Sequence, residues 1–368
     1  MTTRFDCAVI GGGVMGCATA LFLARGGMRV LLLERGPLCR QASGVNAGTL
    51  TMQMVRAALM PYALRAWEMW MRAPEWLDGG DVLARARPSL SVAFTEGEEA
   101  QLRERTQARR AAGAPIELVS GAQACAIEPG LNPAVRLAGY CRTDGFASSY
   151  LTGRAFRGAL LNAGVDVREG CAVDGIDPGF TLRTAAGPVA AARVALAGGV
   201  WLEPMAAWFG IKLPIKTLIH QLVVTERLPP VMGTVLGVAS GLLSLKQYDN
   251  GTVLIGGGWQ GIGDREAGPI AVRPENFLGN VRLAAYTIPA LRSARVVRSW
   301  LGLESETADA LPAVGPLPGV PDAWTIGAVH SGYTCGPYIG KLLAQAMLGE
   351  APELPLFPID RLLPAEAA

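Results

Sequence analysis

Gly11-Gly12-Gly13-Val14-Met15-Gly16, followed after 17 intervening residues by Glu34, has the residue types and spacing that bind a dinucleotide. Each position has a separate task. Gly11 permits a tight turn, Gly13 leaves the backbone open to a pyrophosphate, and Gly16 lets a helix pack closely on a strand. The start of that helix offers unpaired N–H groups and a positive dipole end to the phosphates. Glu34 can accept hydrogen bonds from both ribose hydroxyls, and it would repel a 2'-phosphate. The elements needed to hold these residues are present: an apolar strand Phe5–Ile10, an Ala/Leu-rich helix running to Arg25 and stopped by Gly26-Gly27, and a second strand Arg29–Leu33 ending at Glu34. A glycine-rich turn alone is weak evidence in a chain with 46 glycines. The turn, its flanking elements and the acid together predict a dinucleotide site, without deciding between FAD and NAD.

Other candidate residues are scattered further along. Arg40–Thr49 is a loop of small residues that a polar ligand can approach along the backbone. The helix Tyr150–Asn162 leads to a strand Val165–Arg168 and then Gly170–Val173, and the strand Arg193–Ala197 runs into Gly198-Gly199-Val200-Trp201. A strand Trp324–Gly327 enters the loop His330–Pro337 and a helix to Leu348, with Pro337 suited to that helix's first turn. His330 is a candidate for electrostatic or proton-transfer work, or else a loop histidine capping backbone. His220 lies in an apolar strand and reads as packing. Tyr248, Trp259 and Trp300 either wall a substrate site or belong to the core. The helix Glu96–Ala112, rich in Glu, Gln and Arg, reads as a solvated helix.

Composition narrows the field. With 368 residues, 50% hydrophobic and 17% charged, the chain has room for a large core, and disorder, coiled coil and collagen-like repeats are excluded. Lys plus Arg number 33 against 31 acids with no basic concentration, so no electrostatic case exists for nucleic acid. No apolar run of membrane-spanning length is present, and the first residues enter a strand at once, leaving no room for a signal peptide; a cytoplasmic protein is expected. The seven cysteines form no C-x-x-C pair and read as buried free thiols, and two histidines argue against a multi-histidine metal centre, so no metal is expected.

The whole chain resembles the D-amino-acid oxidase / sarcosine oxidase family of flavoproteins. The resemblance rests on the opening fingerprint, Ala42-Ser43-Gly44-Val45-Asn46-Ala47-Gly48, Glu128-Pro129-Gly130-Leu131, Asp144-Gly145, Val194-Ala195-Leu196-Ala197-Gly198, Trp300-Leu301-Gly302 with Thr307–Pro312, and the C-terminal loop. Within the family it looks closest to the β-type catalytic subunits of multi-subunit amine dehydrogenases, such as those of opine oxidases and of D-hydroxyproline dehydrogenase. That implies an α/β protein whose FAD-binding Rossmann-like domain (1–80, 143–212 and 300–368) carries a discontinuously inserted antiparallel-sheet substrate domain (81–142 and 213–299). The second domain's strands are read at Leu218–Thr225, Leu242–Gln247 and Thr252–Gly257. The implied FAD contacts are Gly11, Gly13, Val14, Met15, Gly16, Glu34, Arg35, Ser43, Gly44, Asn46, Ala47, Gly48, Thr49, Val173, Ala197, Gly198, Trp201, Gly302, Gly332, Tyr333 and Thr334. The implied catalytic residues are His330, Glu304, Tyr333 and Tyr248.

By the same resemblance, the reaction is oxidation of the C–N bond of an amino acid or secondary amine (opine, proline or hydroxyproline, or sarcosine-like) to an imine by hydride transfer to flavin N5. N–H groups of Gly332–Thr334, ahead of a helix starting near Pro337, would stabilise charge at flavin N1 and O2. Partner subunits carrying FMN or an iron–sulfur cluster are implied, with FMN at a subunit interface. The alternatives are an FAD-dependent hydroxyacid or polyol dehydrogenase, and a non-catalytic electron-relay subunit. The chain departs from the family pattern at several positions. Trp300-Leu301-Gly302-Leu303 continues with Glu304, where amino-acid-using relatives place a carboxylate-binding Arg. Arg298, Arg56 and Lys246 are left as possible clamps. Glu304 favours a cationic substrate group, unless it points into a surface or subunit contact. Ser299 and Trp300 replace an attachment cysteine, so FAD is expected to be non-covalent. Val253-Leu254-Ile255-Gly256 lacks the lysine of oxygen-using sarcosine oxidases, which favours a dehydrogenase.

Overall fold

A computed structural model describes residues 5–265 and 269–363. The reading of the extreme N-terminus partly concerns residues 1–4, which lie outside the described residues. Among the described residues no helix is long and apolar enough to cross a membrane.

The strand Phe5–Ile10 is the middle of the first sheet, pairing in parallel with Val30–Leu33 on one side and Val189–Leu196 on the other. Asp166–Arg168 extends the sheet beyond Val30–Leu33, and Ala323–Gly327 extends it beyond Val189–Leu196, again in parallel. Both faces of this sheet are covered, as parallel sheets require. Cys7, Val9, Val30 and Leu32 pack on one side with the helix Val14–Arg25. Ala8, Ile10, Leu31 and Leu33 pack on the other with Leu202 and Met205. The helix Val14–Arg25 lies against the C-terminal helix Gly332–Leu348 at close range, because Gly336 and Gly340 bring backbone where side chains would collide: a Cβ on Gly340 would stand 2.6 Å from that of Ala18.

Among the described residues the second sheet has eight strands, in the order Val296–Glu306, Lys216–Arg227, Thr252–Gly256, Ser244–Gln247, Val235–Val238, Ser89–Ala93, Leu137–Cys141, Ile116–Ser120. The expected antiparallel arrangement holds except at Val235–Val238 and Ser89–Ala93, which pair in parallel. Its longest ladder runs from Lys216 opposite Glu306 to Thr225 opposite Val296. Residues 300–306, assigned above to the FAD-binding unit, are therefore strand of the second sheet. The helix Glu96–Ala111 is held at its start by a Thr95/Glu98 capping box. It is not solvated all round: Leu102 and Thr106 are buried against the second sheet's far end.

Candidate active site

The glycines of the fingerprint divide by what a side chain would meet. A Cβ on Gly11 would lie 2.4 Å from the Ala197 carbonyl oxygen and one on Gly16 2.0 Å from that of Gly11, so these two permit the protein to pack on itself. Gly13 is different: the nearest atom to its Cβ would be Ser43 Oγ at 3.3 Å. That open face belongs to a groove running from Glu34, Arg35 and Trp201, past Gly13, Ser43 and Ala197, to Gly332 and Tyr333. Gly11, Val173 and Gly198 line the Glu34 end, and Val14, Met15, Gly16, Asn46 and Gly302 the Tyr333 end. Glu34 is held in place by backbone: its Oε2 accepts from Gly12 N–H at 2.6 Å and its Oε1 from Gly36 N–H at 2.9 Å. The Arg35 guanidinium stacks 3.5 Å above the Trp201 ring. Ser43 Oγ accepts from Val14 N–H at 3.0 Å. Ala47, Thr49 and Thr334 line an adjoining cavity. Gly44 and Gly48 line neither; a Cβ would strike the Cys39 carbonyl oxygen at 1.9 Å or that of Ala147 at 2.1 Å, so their smallness serves packing.

The C-terminal helix begins at Gly332, more than a turn earlier than Pro337 suggests. Pro337 lies inside the helix, where its missing N–H leaves the Tyr333 carbonyl without its i+4 donor. The Trp70 indole N–H supplies the replacement, lying 3.0 Å from the Tyr333 oxygen and 3.1 Å from that of Thr334. Trp70 also stacks on Tyr333 at 4.7 Å, and the Tyr333 hydroxyl bonds Thr152 Oγ1 at 2.8 Å. The helix N-terminus therefore opens at the groove, with Gly332 and Tyr333 on its wall.

At that end the two histidines of the chain converge on one carboxylate. His220 Nε2 lies 2.5 Å from Glu304 Oε2, and His330 Nδ1 lies 3.2 Å from the same oxygen. Strand register brings His220 and Glu304 together: His220 pairs with Gly302 and Leu218 with Glu304, so the two side chains are diagonal neighbours on one face. His330 arrives from the loop after Ala323–Gly327. Gln260 Nε2 donates to His220 Nδ1 at 3.2 Å, which assigns the proton of a neutral His220 to Nε2, facing Glu304. Burial raises the Glu304 pKa, but the hydrogen bonds and charges of His220 and His330 outweigh it and hold the carboxyl down at about 2. Glu304 in turn raises the pKa of His330 by hydrogen bond and charge. One donor from each residue lies within 4.8 Å of the others, close enough to share a proton or hold a metal ion, which the low histidine count did not suggest. Tyr333 lines the same groove, whereas Tyr248 does not: its hydroxyl donates to Ala47 O at 3.3 Å and its ring packs edge-on against Phe146.

Lys246 is fully buried, and its ammonium donates to Thr49 Oγ1. Burial pushes its pKa down to about 7. It pairs directly with Leu254 and shares its face of the sheet, but it lines neither the groove nor the adjoining cavity. Arg298 is exposed on the sheet's edge strand. The sequence reading overlooked Trp70 and Gln260, whose roles depend on a helix start and a strand register that periodicity does not reveal.

The model of the DAO family, "FAD dependent oxidoreductase", matches residues 6–346. The chain belongs to this family. The groove fits the cofactor, since Gly13 alone of the three fingerprint glycines leaves clear space beside the phosphate-binding helix start. The chain is 28% identical over 356 residues to a glycine oxidase of Geobacillus kaustophilus, covering 94% of this chain and 93% of that protein. It is 29% identical over 344 residues to an opine oxidase subunit of Rhizobium meliloti, covering 89% of each. The crystal structure of the G. kaustophilus glycine oxidase superposes with a TM-score of 0.90 at 26% identity, covering 99% of this chain and all of that one. This FAD-dependent oxidoreductase thus shares both the fold and the nearly full-length alignment of amine-oxidising relatives.

Proposed function

We propose that the protein oxidises the C–N bond of an amino acid or secondary amine to an imine, as the FAD-bearing catalytic subunit of a hetero-oligomeric dehydrogenase. The observation that carries this reading is the His220–Glu304–His330 cluster at the Tyr333 end of the groove. FAD, when bound, would accept the hydride, which carries both electrons of the oxidation. The protein's own task is the proton. An amine reaches the site as an ammonium and must be neutral before its carbon gives up hydride. With Nδ1 of His330 held by Glu304, Nε2 is left to take that proton, and Glu304 stabilises the imidazolium. Tyr333, fixed by Trp70 and Thr152, shapes the wall beside it. Gly13, Ser43, Ala197 and Glu34 would hold the cofactor, without a covalent bond: no cysteine lines the Tyr333 end among the described residues.

Two features support a partner subunit, here proposed to carry FMN or an iron–sulfur cluster with FMN at the interface. One is the likeness to a protein named as a subunit. The other is the edge strand Val296–Glu306, whose first residues are exposed, Val297 to 67%. All seven cysteines are free thiols, which suits the reducing cytoplasm. Anaerobic mixing of the FAD-loaded chain with sarcosine, proline and an opine should bleach the flavin's visible absorbance with at least one of them. Reduction by a hydroxyacid or polyol instead would reject the amine reading.

A further inference from the structure

A second cavity, of about 390 Å³, meets the active-site groove at His330, which lines both. Three arginines face into it: Arg56 from the loop after Thr49–Leu50, and Arg105 and Arg109, one turn apart on the helix Glu96–Ala111. Among the described residues no Asp or Glu lines it. Among the described residues neither Arg105 nor Arg109 has a carboxylate within ion-pair distance, and Arg56 meets only Glu306, at 3.7 Å. Backbone carbonyls aim the two helix arginines instead, Ala239 O accepting from Arg105 Nη1 at 2.6 Å and Val55 O from Arg109 Nε at 3.0 Å. The buried acid Asp144 is occupied by the hydroxyls of Thr51 and Ser89 and by Met52 N–H. Burial, then Arg105 and Arg56, push the Arg109 pKa down to about 10, outweighing the smaller opposing charge of Asp144. Arg103, on the same helix but off the cavity, is by contrast exposed and reaches Glu99 at 3.9 Å.

We propose that this cavity is a carboxylate subsite, holding a substrate carboxylate distal to the C–N bond oxidised at His330. The inference rests on the proposed function and narrows it: the substrate class is an amino acid or secondary amine bearing a further carboxylate. It also accounts for the acid at Glu304. The cavity is lined by His330 but not by Glu304, so a distal carboxylate held there leaves Glu304 to hold the histidines. Guanidinium forks suit the task, because each can grip a carboxylate through two parallel N–H bonds.

The test uses the FAD-loaded full chain and two substrates differing only at the distal group, N-methylglutamate and its γ-amide N-methylglutamine. The expected result is a rate of anaerobic flavin reduction, as kcat/KM, at least tenfold higher for the carboxylate. Arg105→Gln and Arg109→Gln should each bring that ratio close to one, and Arg103→Gln should leave it unchanged. A ratio that survives both cavity substitutions, or wild-type reduction by both compounds at equal rates, overturns the subsite while leaving amine oxidation standing. Arg109 also anchors Val55, so exposed Arg105 provides the variant that keeps the fold. If neither compound reduces the flavin, the proposed function fails for this pair, and glutarate binding by calorimetry decides the subsite separately. Binding weakened at least tenfold by Arg105→Gln but not by Arg103→Gln supports it; no glutarate binding, or equal binding by all forms, refutes it.

Discussion

Glu304 is the residue on which the candidate site is built. Its carboxylate draws together both histidines of the chain, one from a strand and one from a loop. Because Glu304 raises the pKa of His330, Glu304→Gln should return the imidazole toward its ordinary range. The ascending limb of kcat/KM against pH should then move to lower pH, and a limb that stays in place would separate His330 from the proton step. Lys246 gives a second expectation, in stability rather than rate. Its folded pKa of about 7 lies below the ordinary 10.5, so between those values the unfolded chain binds a proton the folded chain does not. Stability contributed by this group therefore rises with pH across that window, by up to about 2 kcal/mol from roughly pH 7 to 9. Denaturant unfolding of the holoprotein should show this gain in the wild type and lose it in Lys246→Met. Protonated, the same group lies beside Thr49 as a buried positive charge.

At the scale of elements, the strand–turn–helix of the fingerprint was fully legible, because each glycine answers to a local steric demand. The structure sharpens those demands into distinct outcomes. Gly13→Val should fold, its backbone being extended and its Cβ meeting nothing nearer than Ser43 Oγ, yet fail to retain FAD. Gly16→Ala forces a Cβ to 2.0 Å from a backbone oxygen and should lower Tm sharply even without cofactor. Circular dichroism with cofactor release by acid precipitation distinguishes the two. The start of the last helix was not legible. Proline is commonest in a first turn, and only the indole of Trp70, 263 residues from Tyr333, makes an interior proline tolerable. The helix Glu96–Ala111 is largely solvated, as expected, with only Leu102 and Thr106 buried, but what two of its arginines face was not legible. Its charges look like solvent-facing charges until the neighbouring strands show that Arg105 and Arg109 face a cavity.

For the whole molecule, the parallel sheet could be read from short apolar strands, each followed by a turn and a helix, whereas the second sheet could be read only as a set of strands. Its register lies outside the reach of local pattern, and the register is what joins residue 220 to residue 304. His330 comes from the first sheet's loop and His220 with Glu304 from the second, so the candidate site exists only where the two sheets meet. That meeting is the central claim, and one measurement tests it most directly. The FAD-loaded chain is mixed anaerobically with a panel of secondary amines and amino acids, and flavin absorbance is followed before dye or oxygen is admitted. The expected result is bleaching by an amine, loss of that bleaching in the His330→Ala variant with FAD still bound, and faster reoxidation by dye than by oxygen. A flavin left oxidised by every amine but reduced by a hydroxyacid or polyol, or reduced equally fast without His330, would contradict the account.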